Sequence, residues 1–151
     1  MLMEIVIDRA TPFEAGIIAA LHERCFPRPW DEATMATFIA GPDTICLLAS
    51  ITDDSRRAPA GFLIARKAAD EAELLTLAVA PDRRRAGLGK ALLKAAIATL
   101  SECGAKQLFL EVEEGNEAAL ALYRSVGATA VGRRARYYDH GADAAIFSLA
   151  L

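Results

Sequence analysis

Residues that build metal and disulfide chemistry are scarce in this chain. Three cysteines and two histidines occur among 151 residues. Cys25, Cys46 and Cys103 are odd in number, widely spaced and without a Cys-x-x-Cys pair. A disulfide scaffold is thereby excluded, and reduced thiols in a cytoplasmic chain are the expectation. His22 and His140 have no metal-ligand spacing to a cysteine, so no metal is implied. No run reaches the ~18 apolar residues of a membrane span. Met1-Leu2-Met3-Glu4-Ile5 lacks a signal-peptide pattern, so no leader is expected. A net charge of −3 gives no support to general nucleic-acid binding. Repeats, linkers and low-complexity segments are missing as well.

What the chain has is an apolar majority, 54% of its residues. Its length suggests one domain over residues 1–151, able to bury roughly 70% of its unfolded surface. The most informative stretch runs from Leu74 to Lys90. Its first half, Leu74 to Val79, is an apolar run of the kind that forms a buried strand. Pro81 ends the run, because proline donates nothing to a strand ladder. Arginines and glycines follow, then a helical pattern with Leu88, Ala91, Leu92, Ala95, Thr99 and Leu100 on one face. The first turn of a helix leaves backbone N–H groups unpaired and carries partial positive charge. Gly87 and Gly89 let an anion approach those amides, and either can adopt φ > 0. A phosphate or pyrophosphate suits this order of elements. A tight turn with solvated arginines is the plain alternative.

Two familiar phosphate loops do not fit. Gly89-Lys90 is followed by Ala91 and has no glycine at Arg84, so it is not a P-loop. Gly87-x-Gly89 has Leu92 where the dinucleotide fingerprint needs its third glycine. Arg84-Arg85-Ala86-Gly87-Leu88-Gly89 instead resembles the Gln/Arg-x-x-Gly-x-Gly/Ala loop of the GNAT family of N-acetyltransferases. In that family the loop amides hold the pyrophosphate of acetyl-coenzyme A.

The elements around this loop can be read in order. Ile5–Ile7 predicts a short strand. Thr11 reads as an N-cap, with Pro12 at the first helical position and Glu14 completing a capping box. Ile17, Ile18, Leu21 and Cys25 continue at helical spacing until Pro27 and Pro29. Asp31 suits the cap of a second helix through Ile39, stopped at Gly41. Trp30 is either core beneath a loop or, with Phe26, one wall of a substrate groove. Thr44–Ile51 and Ala60–Arg66 predict a hairpin around a polar turn at Asp53–Pro59. A turn at Asp70-Glu71 leads into the strand Glu73–Val79. The long helix closes at Gly104, and Gln107–Val112 is the next strand. Strand, helix and strand of these lengths imply a right-handed parallel crossover. Asn116 caps a helix through Ser125, Gly127 closes it, and Ala130–Arg136 and Ala144–Leu151 are the final strands. The fold class is α/β with a mixed sheet.

Two side chains beside the loop carry candidate chemistry. Glu111 interrupts an otherwise apolar strand, and a buried carboxylate is unfavourable unless solvated or paired. It either points to the wet face or serves as a general base at the mouth of a cleft. Tyr123, seven residues after Asn116, is either core packing or a phenol aimed at a leaving thiolate.

The resemblance extends from Thr11 to Phe147. Leu110-Glu111-Val112, Asn116…Ala119-Leu120…Leu122-Tyr123 and Gly127 resemble the family segment "LEV…N..A..LY...GF". The likeness is strongest to the ribosomal-protein alanine N-acetyltransferases, the RimI branch. It implies a mixed, mostly antiparallel central sheet, with a V-shaped split between two central parallel strands and helices on both faces. It implies Glu111 as base and Tyr123 as acid. Leu77, Ala78 and Val79 match the strand that pairs with pantetheine. Arg84, Arg85, Ala86, Gly87, Leu88, Gly89 and Lys90 match the pyrophosphate loop, and Asn116 matches a coenzyme-contacting asparagine. Phe26, Trp30, Tyr137 and Tyr138 match the walls of the acceptor groove. Arg84 stands where glutamine is frequent, and Ala128 replaces a usual phenylalanine.

The implied reaction is direct acetyl transfer from acetyl-coenzyme A, with no metal. The implied acceptor is a protein N-terminus, by resemblance the N-terminal alanine of ribosomal small-subunit protein 18. A small-molecule amine as acceptor, or a coenzyme A-binding module without turnover, are the alternatives. No direct nucleic-acid or membrane partner is expected, and the chain should be a monomer or weak dimer.

Overall fold

A computed structural model describes residues 3–135, 141 and 143–151. Its seven strands are β1 (Glu4–Arg9), β2 (Thr44–Asp53), β3 (Arg56–Ala68), β4 (Glu71–Val79), β5 (Gln107–Glu113), β6 (Thr129–Arg134) and β7 (Ala144–Ala150). Its four helices are α1 (Ala15–Cys25), α2 (Glu32–Ala40), α3 (Leu88–Glu102) and α4 (Glu117–Ser125). The strands form one sheet in the order β1-β2-β3-β4-β5-β7-β6. Every pairing is antiparallel except β4 with β5. Among the described residues, no helix is long and apolar enough to cross a membrane.

Local chemistry explains where the helices begin. Thr11 and Glu14 form the expected capping box, with the Glu14 carboxylate accepting from the Thr11 N–H at 3.3 Å. The first turn, Pro12–Glu14, is wound as a 3-10 turn before α1 begins at Ala15. Asp31 caps α2 by accepting from the Thr34 N–H at 2.8 Å, and Asn116 caps α4 by accepting from Ala119 N–H at 3.1 Å. Gly104 (φ +91°) and Gly127 (φ +94°) take the left-handed conformation just past α3 and α4.

The sheet separates two cores. On one face α3 and α4 cover Leu63, Leu108, Leu110, Val112 and Phe147. On the other α1 and α2 cover Cys46, Phe62, Ile64 and Ala78. Each fully buried Leu, Ile or Phe side chain contributes about 1.5–3 kcal/mol relative to exposure.

Two expectations need correction. The turn between β2 and β3 is only Asp54-Ser55, both at positive φ (48° and 68°), not Asp53–Pro59. Such a two-residue turn matches strand twist, so Arg56 to Pro59 continue the ladder. Pro59 is tolerated opposite Ser50 because the register shifts there, at a bulge. Second, the buried face of α3 is Leu88, Leu92, Leu93, Ala96 and Leu100. Ala91, Ala95 and Thr99 lie half-buried on its flank. Apolar residues occupy both stripes, so periodicity could not choose between them. The pairing of β4 is not regular. With β3 it passes from Ala65↔Leu74 to Ile64↔Thr76, leaving Leu75 as an extra residue. Near the end of β4, a Cβ on Gly61 would lie 2.7 Å from the Ala78 carbonyl oxygen, so only glycine fits there.

Candidate active site

The site begins with a sheet that comes apart. β4 and β5 pair only at Glu71↔Gln107, Ala72↔Leu108 and Glu73↔Phe109. Beyond that point β5 stays with β7, to which it is paired along its whole length from Gln107 to Glu113. β4 stays with β3 through Val79. The stretch Leu74–Val79 therefore presents to the split an edge that β5 does not pair. Leu77, Ala78 and Val79 all lie on it. Such an edge is a template for another extended chain.

The pyrophosphate-loop candidates follow the end of this edge. Gly87 precedes α3 at φ +80°, and no side chain caps the helix. The first intrahelical bond at this end runs from the Ala91 N–H to the Gly87 carbonyl at 3.0 Å. The amides of Leu88, Gly89 and Lys90 therefore precede the ladder, and no acidic residue occupies the first turn. Gly87 is the glycine that needs φ > 0; Gly89 lies inside α3 at ordinary helical geometry. The Leu88 side chain is core, so only its backbone can meet an anion. Arg84 turns back, its Nε donating to the Val79 carbonyl at 3.3 Å. Arg85 adopts φ +67°, and Arg85, Ala86 and Lys90 are exposed.

Glu111 and Tyr123 lie on opposite faces of the sheet. Leu110 and Val112 point into the α3/α4 core, so alternation turns Glu111 to the other face. There it lines a cleft of about 510 Å³ together with Arg66, Glu71, Glu73, Phe109 and Arg134. Its side chain is 29% exposed, and Oε1 lies 3.3 Å from Arg134 Nη2. Arg66 pairs with Glu73 on the same face. Tyr123 is 6% exposed in the α3/α4 core. Its ring centroid is 6.1 Å from that of Phe147, edge to face. The Asn116 carbonyl oxygen is committed to capping α4, which leaves its amide as the group that can serve a ligand.

The model of the acetyltransferase (GNAT) family matches residues 17–128. The chain belongs to that family. Similarity is substantial to the ribosomal protein bS18-alanine N-acetyltransferase of Escherichia coli strain K12. The two are 38% identical over 136 residues, 87% of this chain and 88% of that one. A crystal structure of the ribosomal-protein-S18-alanine N-acetyltransferase from Escherichia coli matches with a TM-score of 0.85 at 33% identity, covering 97% of this chain and 94% of that one. The fold recurs in Arabidopsis thaliana NAA60 in complex with acetyl-CoA, with a TM-score of 0.84 at 20% identity, covering 98% and 99% of the two chains.

As a GNAT acetyltransferase, the chain takes its acetyl group from acetyl-coenzyme A. Among the described residues, no three His, Cys, Asp or Glu side chains are grouped to hold a metal ion. The acceptor-wall candidates divide. Tyr137 and Tyr138 lie outside the described residues. Phe26 and Trp30 pack on the α1/α2 core and do not line the Glu111 cleft. Trp30 stacks on His22 at 5.0 Å and on Phe38 at 4.5 Å, and it borders a second groove with Glu23, Asp31 and Glu32.

The structure gives two residues contacts that the sequence did not reveal. His22 is 4% exposed at the centre of the aromatic cluster, where its Nδ1 accepts from the Trp30 N–H at 3.1 Å. Burial holds its pKa below the ordinary value. Its available signal was the i, i+4 spacing to Phe26 at the end of α1. Arg134 opens a stretch that resembles the family, but its pairing with Glu111 was not legible, because β7 lies between them. The end of α1 is also tied to the open end of β4. Cys25 Sγ lies 3.5 Å from the Val79 carbonyl, and Arg24 pairs with Asp82 at 2.8 Å.

Proposed function

We propose that this acetyltransferase modifies the N-terminal α-amine of a protein, with the N-terminal alanine of ribosomal protein bS18 as its acceptor. The observation that carries the reading is the split itself. An unpaired β4 edge ends at a bare helix N-terminus, and a carboxylate stands in a cleft on the opposite face from Tyr123. Donor and acceptor can therefore enter from two sides and meet between the strands. The name of the Escherichia coli relative supports the choice of acceptor.

In this reading the Leu77–Val79 backbone pairs with pantetheine, and the amides of the Arg84–Lys90 loop hold the pyrophosphate, assisted by Asn116. Glu111, oriented by Arg134, removes a proton from the acceptor ammonium, directly or through water. The freed nitrogen lone pair attacks the thioester carbonyl carbon. As the tetrahedral centre collapses, the carbon–sulfur bond breaks and Tyr123 gives its proton to sulfur. Amide and thiol are the products, and solvent reprotonates the phenolate. A β4 N–H near Ala78 or Val79 polarises the carbonyl. Phe26 and Trp30, which do not line the Glu111 cleft, meet the peptide beyond its first residue, and the sequence resemblance alone puts forward Tyr137 and Tyr138 as further contacts. Residues 1–151 act as one catalytic unit, a cytoplasmic monomer or weak dimer.

The test is competitive. An alanine-starting peptide, an N-terminally blocked lysine peptide and spermidine are offered at equal concentration, and products are read by mass spectrometry. Acetylation of the free N-terminus should dominate. Preference for the lysine or the polyamine would overturn the acceptor while leaving the chain an acetyltransferase.

A further inference from the structure

Thr76 is a polar residue where packing alone favours an apolar one. It lies on the central strand β4 and is 9% exposed. Its Oγ1 has no hydrogen-bond partner among the described residues. Its neighbours on that face, Phe62, Ile64 and Ala78, are apolar and buried. A buried hydroxyl without a partner destabilises a fold relative to an isosteric valine. Its presence therefore calls for a use.

The bulge at Leu75 says where that hydroxyl is aimed. In the parallel register Glu73 is level with Phe109. Leu74 and Leu110 both turn to the α3/α4 core. Leu75 is the extra residue, so Thr76 returns to the face of Glu73, and the register carried on past its last pair, Glu73 with Phe109, would set Thr76 level with Glu111. Both then belong to the face that carries Glu73 and Phe109, away from that core. Without the bulge, Thr76 and Glu111 would fall out of step and onto opposite faces. β4 and β5 have already separated at this level, so no ladder bond closes the space between them.

We propose that Thr76 is part of the acceptor site and faces Glu111 across the split. Its Oγ1 accepts one N–H of the acceptor amine, while Glu111 takes the proton that the nitrogen loses. The amine is held between two oxygen acceptors, and its lone pair is left for the thioester carbon. The assignment rests on the amine-acceptor reading above. It gives a role to a β4 side chain where only backbone was expected to act.

The experiment compares wild type, Thr76→Val and Thr76→Ser in the full chain. It measures kcat/KM for an alanine-starting peptide, and melting with and without acetyl-coenzyme A. A hydrogen bond to a charged or reacting group is worth roughly ten- to hundredfold. Thr76→Val should lose that factor, keep the ligand-induced melting shift, and melt no lower than wild type. Thr76→Ser should retain activity within about threefold, because the acceptor oxygen stays. Wild-type kcat/KM in Thr76→Val would overturn the assignment. So would equal losses in both variants with the melting shift intact, since the hydroxyl would then be irrelevant. A wild-type protein that acetylates no N-terminus fails earlier, on the function reading itself, and takes this assignment with it.

Discussion

Arg134 reaches across β7 to place Nη2 3.3 Å from Glu111 Oε1. Both side chains are partly open to water, 54% and 29% exposed, so the pair contributes little to stability, at most ~1 kcal/mol. Its consequence is positional. A guanidinium fixed on one oxygen leaves the other oxygen of Glu111 for an acceptor. Arg134→Gln should lower kcat/KM about tenfold, with melting temperature and acetyl-coenzyme A binding unchanged. In a double-mutant cycle with Glu111→Gln the losses should be less than additive. Full additivity would separate Arg134 from the base.

Glu111→Gln should slow turnover by roughly 10²–10⁴-fold near neutral pH. An α-amine has a pKa of ~7.7–8.0, so at higher pH it loses its proton unaided and the deficit should shrink. The pH–rate profiles of the two proteins should converge on the alkaline side. Parallel profiles would remove Glu111 from proton transfer.

Tyr123→Phe keeps the ring that packs edge to face on Phe147. Fold and coenzyme binding should survive, while turnover falls ~10²–10⁴-fold. If the variant turns over at the wild-type rate, the phenol serves packing alone.

Gly87 sits at φ +80°, with nothing within 4 Å of where a Cβ would project. Space is therefore not the constraint; backbone conformation is. Gly87→Val should destabilise the fold by about 1–2 kcal/mol through the left-handed strain. It should also abolish the ~2.7 kcal/mol of stabilisation expected from acetyl-coenzyme A at 100 times its dissociation constant. Gly89→Ala is the contrast. Its Cβ would meet Leu122 Cδ2 at an ordinary 3.5 Å, and helix propensity should raise stability by up to ~1 kcal/mol. Calorimetry with and without ligand distinguishes strain from lost binding.

His22 gives the fold a dependence on acid. Burial lowers its pKa from 6.5, so the unfolded chain binds the proton more readily than the folded one. Its contribution is complete above about pH 6.5 and is lost as pH falls from there through the lowered value of the folded state. Wild type should lose more melting temperature than His22→Asn between about pH 7.5 and about pH 5. Equal losses would show that protonation of His22 is not resisted by the fold.

Much of the site was legible in the sequence because its determinants are local. Thr11, Asp31 and Asn116 bond backbone amides two or three residues away, so they mark helix starts in any context. An apolar run, a proline and Gly87 before a helix define the strand, loop and amide cluster without any tertiary contact. The hairpin turn was overextended because Arg56-Arg57 and Pro59 look like loop. Their place in the ladder depends on the twist of a two-residue turn and on a bulge at Ala60 in the same strand.

The sequence by itself determined the order of strand, glycine-containing basic loop and helix, the capped helix starts, and a carboxylate and a phenol on consecutive elements. Tertiary structure alone decided how these meet. β7 pairs with β5 through residues such as Phe109 and Ser148, far apart in the chain, and so carries Arg134 of β6 within reach of Glu111. The Leu75 bulge turns Thr76 to the face that carries Glu73, and an apolar run cannot announce it, because the residues of Leu74–Val79 on both faces are buried or partly buried. The physical reason is range. Caps and turns are settled by bonds within a few residues, whereas register, strand order and the opening between β4 and β5 are settled by which distant surfaces the sheet and its two helical layers bury together.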